Sequence, residues 1–253
     1  MKNLNYEFFV HFRVFPKKLS CNGYLIIALL VLFVSSNCKS QCSQYSPATN
    51  KNLKESFDSF MKYCDSHIYQ LSSDSLVYYT DSIFRYSYEI DTTGSHSNGL
   101  MMKLLEQALK IDPSSTKAAN RLYNLYAVKK QYRKAIQVSD TYMNDTSDIL
   151  VLSSKSMMYY KIGEKEKADN GFTFVRKKSE LVIKDNPNLE EKYYLGNMWM
   201  ISLMIFIQEG KEQSLLNFKI VKDKYPEDRF VSGLYEKIEG YKNVDDLIEK
   251  NLP

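Results

Sequence analysis

Glycine and proline are scarce in this chain, nine and six among 253 residues. With 44% of residues apolar or aromatic, that scarcity excludes disorder outside a short linker. Three histidines leave little from which to build a metal site. His67 follows Cys64 by three residues, yet one Cys and one His cannot complete a zinc shell, and His96 has no spaced partner. No glycine-rich phosphate cradle, nucleophile elbow or helix-borne HExxH occurs, so no catalytic residue, metal or cofactor is expected. The acidic pairs Glu190-Glu191 and Asp245-Asp246 fall near expected helix starts, where the macrodipole stabilises negative charge. Long apolar runs are missing too. The longest, Tyr24 to Val34, has eleven residues, too few at 1.5 Å each to cross a hydrocarbon core of roughly 30 Å.

That run has the length of a signal-peptide core, and Lys17 and Lys18 precede it as a charged n-region. It ends in Ser35, Ser36, Asn37 and Cys38. A Cys after small residues resembles the lipobox of bacterial lipoproteins, although Asn37 and Ser35 depart from the family's small residue and Leu. The resemblance implies cleavage after residue 37, lipidation of Cys38 and a membrane attachment through that lipid. A plain secreted protein and an uncleaved signal anchor are the other readings. Removing the segment lowers the formal charge from +4 for the whole chain to +1. No basic stripe with interleaved aromatics remains, which excludes nucleic acid as a partner. Of the remaining thiols, Cys42 and Cys64 can pair in an oxidising compartment, but Cys64 lies on an apolar helical face and reads as a small buried residue. Residues 39–50, KSQCSQYSPATN, suit a flexible tether over 38–50, which leaves 51–253 as the folded domain.

The domain reads as all-α. Helices are expected over 52–69, 74–90, 100–111, 116–128, 131–143, 148–161, 164–184, 189–208, 211–224, 228–239 and 244–250, with DTTGSHSNG, 91–99, as a loop. Turns of two or three residues make consecutive helices antiparallel. Tyr126 and Ala135 recur 33 residues on as Tyr159 and Ala168, about a turn at Gly163. A period of that size belongs to stacked helical hairpins, which bury their apolar faces only against neighbouring units.

These residues resemble the tetratricopeptide repeat family over 100–226. Ala119, Leu122, Tyr126, Tyr132 and Ala135 stand at its packing positions, and Ser156, Tyr159, Gly163, Ala168 and Phe172 repeat them. Tyr123 and Lys155 replace an expected small residue and an expected Leu, and Pro187 comes seven residues late, so the helix before it should be longer than the family norm. The resemblance implies a stacked α-solenoid that binds a protein or peptide in the cell envelope. Its first helices line a concave face. There Lys117, Arg121 and Asn124 match positions that clamp a partner's terminal carboxylate, with Ser154 facing them and Tyr160, Val128 and Met157 as an apolar floor. The same stripe also reads as a solvated helix face. A second candidate surface is 197–208, NMWMISLMIFIQ, apolar all round, which is either core or an interface anchored on Trp199. With no acidic residues directly after Cys38, a periplasm-facing outer-membrane lipoprotein is expected. A subunit of an outer-membrane protein assembly complex is the alternative of the same kind. A secreted helical hydrolase or carbohydrate-binding module is the alternative of another kind.

Overall fold

The computed structural model describes residues 50–90, 95–143 and 148–252. Among them are eleven α-helices: α1 Asn50–His67, α2 Ser73–Ile90, α3 Ser95–Ile111, α4 Thr116–Val128, α5 Tyr132–Tyr142, α6 Ile149–Lys161, α7 Lys165–Asp185, α8 Glu191–Glu209, α9 Lys211–Lys224, α10 Arg229–Gly240 and α11 Val244–Asn251. The chain divides into two compact units, residues 1–63 and 64–253. In the first, the described part is helical, with Phe57 and Met61 buried one turn apart. The targeting segment, Cys38, Cys42 and most of the tether lie outside the described residues.

In the second unit every helix from α2 to α9 packs on the next, and α8 also meets α10. Cross-contacts join residues on either side of three of the turns, as antiparallel neighbours require. The Tyr126 hydroxyl on α4 donates to Glu106 on α3, Gln208 Nε2 on α8 donates to Thr173 Oγ1 on α7 at 2.8 Å, and Ser214 Oγ on α9 donates to the Ser202 carbonyl on α8 at 2.7 Å.

Local chemistry sets the helix ends. Asp148 Oδ1 accepts from the Leu150 and Val151 amides at 2.8 and 3.4 Å, and Asp228 does the same for Phe230 and Val231 at 2.7 and 3.1 Å. Each cap satisfies amides that have no partner within the helix. Pro113, Pro187 and Pro226 follow the ends of α3, α7 and α9, since the residue before a proline resists the α region. The 33-residue offset is written into the hydrogen bonds of two turns. Gln131 N donates to Tyr126 O at 2.8 Å and Lys130 N to Ala127 O at 2.8 Å; Glu164 N donates to Tyr159 O at 3.0 Å and Gly163 N to Tyr160 O at 3.0 Å. Both turns use a left-handed residue to close the helix, Gly163 at φ +81° and, at the equivalent place, Lys130 at φ +56°.

Small residues set how closely the hairpins shut. A Cβ added to Gly171 on α7 would overlap Ser156 on α6, reaching its Cβ at 2.9 Å. Ser202 and Ser214 are fully buried where α8 crosses α9. The two departures at packing positions are absorbed by neighbours. Tyr123 is buried and its hydroxyl reaches the Val151 carbonyl of α6 at 3.5 Å, while Lys155 pairs with Asp140 on α5. The late proline has the expected effect, for α7 runs to 21 residues against 11 in α5.

One boundary needs correction. The 91–99 segment is not a loop throughout, because α3 begins at Ser95. Ser and Asn are poor in helix interiors but favourable in a first turn, where their side chains can bond free amides, and Ser97 is buried there.

Candidate partner-binding face

α4 carries Lys117, Arg121 and Asn124 along one stripe, at the i, i+4 and i+7 spacing that aligns side chains on a helix. Ser115 starts this helix, its Oγ accepting from the Ala118 amide at 3.4 Å. Opposite the stripe stands Asp81 of α2. Arg121 Nη2 lies 2.5 Å from Asp81 Oδ1, and Lys117 Nζ lies 3.7 Å from Asp81 Oδ2. The other guanidinium nitrogen, Nη1, donates to the Val77 carbonyl at 3.4 Å. The two cations therefore converge on a single carboxylate, and that carboxylate belongs to the chain itself. The cluster is open to solvent: the Lys117 side chain is 61% exposed, Asp81 31% and Arg121 29%.

The other expected members are more dispersed. Asn124 and Val128 are exposed on α4, Tyr160 on α6 is half-buried, and Met157 is buried. Ser154 is buried too, next to the Tyr123 hydroxyl. Burial raises the Tyr123 pKa above the usual phenol range, with the Ser154 hydroxyl acting in the opposite sense. Ser154 thus belongs to the α4/α6 contact more than to the open stripe. Nothing local in the sequence marks Asp81 as the counterion of this stripe; it precedes Lys117 by 36 positions and Arg121 by 40.

The second candidate surface is core. Residues 198–206 of α8 are all buried. The Trp199 ring meets Phe218 edge-on at 6.0 Å and is covered by the Lys237 ammonium at 5.4 Å. Burial lowers the Lys237 pKa below the usual lysine value. Trp199 is therefore not available as an interface anchor.

A cleft of about 420 Å³ lies where α7 meets the end of α8, lined by Thr173, Arg176, Lys177, Glu180, Gln208 and Glu209. Its two carboxylates are both tied to Arg176, Glu180 at 3.0 Å and Glu209 by a shorter contact. They do not form the free acid and base pair that a glycosidase needs. Among the described residues no three His, Cys, Asp or Glu side chains gather to hold a metal ion, and no helix is long and apolar enough to cross a membrane.

The fold defines the class: an all-helical protein in which α2 to α10 pack in sequence, consistent with stacked hairpins. Comparison with family models, curated proteins and solved structures finds no match for the chain.

Proposed function

We propose that this chain is an exported binding protein of the bacterial envelope, anchored through a lipid on Cys38, whose tetratricopeptide-like stack holds the carboxylate end of a peptide or protein on the α4 stripe. The observation that carries this reading is the convergence of Lys117 and Arg121 on one carboxylate at an open surface. Arginine's planar fork suits a carboxylate, and a lysine beside it adds charge without fixing direction. The 33-residue register of the two turns supports the repeat reading, because stacked units with a common register present consecutive first helices side by side. The buried state of 198–206 removes the rival surface. On this reading the protein faces the periplasm from the outer membrane and works by binding, without a metal or cofactor.

The test is crosslinking and recovery from native membranes, with wild type, Cys38→Ala and the double variant Lys117→Ala and Arg121→Ala compared. The expected outcome is one partner recovered with wild type and lost with the double variant, which stays on the membrane, while Cys38→Ala is released. Retention of the partner by the double variant rejects the α4 face, and membrane retention of Cys38→Ala rejects the lipid anchor.

A further inference from the structure

We infer that Asp81 fills the carboxylate seat of this face from within, so that a partner's carboxylate binds by displacing it. The inference rests on the reading that the α4 stripe receives carboxylates. α2 and α4 are separated in the chain by α3, yet Asp81 offers one oxygen to each cation, 2.5 Å from Arg121 and 3.7 Å from Lys117. These are the two contacts an incoming carboxylate would make. All three side chains are partly in water, so the pair is cheap to open. With Asp81 swung away the two cations stay hydrated, since neither is fully buried, which avoids the desolvation cost of a broken buried pair. The remaining tie on Arg121, to Val77 O, is long at 3.4 Å and leaves the guanidinium room to turn. Asp81 then sets the affinity: only the fraction of molecules in which it has swung away can bind, and the observed dissociation constant rises by the inverse of that fraction.

The probe is a fluorescein-labelled pool of random hexapeptides with free C-terminal carboxylates, and the same pool amidated. Each is titrated by fluorescence anisotropy into full-length wild type, Asp81→Asn and Asp81→Ser. Both variants lack the competing carboxylate and should bind the free-acid pool on the order of tenfold more tightly than wild type. Asp81→Glu, which keeps the competitor, should bind as wild type does, and Arg121→Gln combined with Asp81→Asn should lose the gain. Circular dichroism melts identify any variant that fails to fold, and the Asn and Ser forms are read independently. If wild type and both neutral variants bind the acid pool equally, the displacement inference is overturned while the carboxylate face stands. If no form distinguishes acid from amide, the face itself is wrong.

Discussion

Individual residues in this molecule are legible where one side chain or one dihedral decides the outcome. Cys64 is wholly buried, and that burial pushes its thiol up to about 12, so little thiolate forms at neutral pH. The Cys64 peptide should remain unmodified when the native protein is treated with iodoacetamide at pH 8 and become fully labelled in urea, as read by mass spectrometry. Gly163 makes a second case. Nothing lies within 4 Å of a Cβ built there, but its φ is +81°, so replacement costs backbone strain alone. Gly163→Ala should lower stability by about 1 kcal/mol in urea unfolding. Lys130→Gly, at the equivalent turn, should relieve the same strain but lose the exposed Lys130–Glu249 pair, so the midpoint should rise by less than Gly163→Ala lowers it. Both effects were half-visible in the sequence. Gly163 announces its turn, whereas Lys130 conceals the same conformation behind an unremarkable side chain.

At the scale of elements, helix identity was readable from apolar spacing and punctuation. Asp148, Asp228, Pro113, Pro187 and Pro226 each mark an end by satisfying or forbidding a backbone group, so most boundaries fall within a residue or two of expectation. The start of α3 was missed because Ser, Asn and Gly serve equally as loop residues and as first-turn residues. Packing distance was also hidden: nothing in the sequence pairs Gly171 with Ser156. Gly171→Ala gains helix propensity of roughly 0.5–1 kcal/mol but forces a Cβ into Ser156. Overpacking of roughly 1–3 kcal/mol should dominate, so the variant should melt lower than wild type. Ser156→Gly in the same chain should restore part of the loss.

For the molecule as a whole, the long-range ion pairs were beyond the sequence, because charge partners 36 to 119 residues apart leave no local trace. Asp81 is one. Glu249 on α11 is another; it pairs with Lys130 at 2.5 Å and with Lys161 at 3.1 Å, and Asp245 stands 3.9 Å from Lys161. The last helix is thereby tied to the turns that close α4 and α6. Its apolar side is buried through Leu247 and Ile248, and Asn251 Nδ2 donates to the Tyr241 hydroxyl at 2.8 Å. Hydrogen bonds from Lys130 and Lys161 hold the Glu249 carboxyl below its ordinary 4.5. A depressed carboxylate stabilises the folded state fully above that ordinary value and stops doing so as the pH falls through the lowered one. Acidification below about 4.5 should therefore raise hydrogen exchange across α11 before it rises in α8. In Glu249→Gln that step should be reduced and exchange in α11 should already be faster at neutral pH. High salt should mimic the variant, because these pairs are exposed.

The measurement that bears most directly on the account is site-specific photocrosslinking in intact cells. A photoreactive amino acid at Asn124, exposed on the α4 stripe, is compared with one at Leu216, which is 60% exposed on α9; the joined residue of any partner is then located by mass spectrometry. The account predicts a crosslink from position 124 to the last few residues of one envelope protein, lost with Arg121→Gln and absent from position 216. Crosslinks to internal segments of a partner, or a crosslink indifferent to Arg121, would contradict the claim that this face receives a terminal carboxylate.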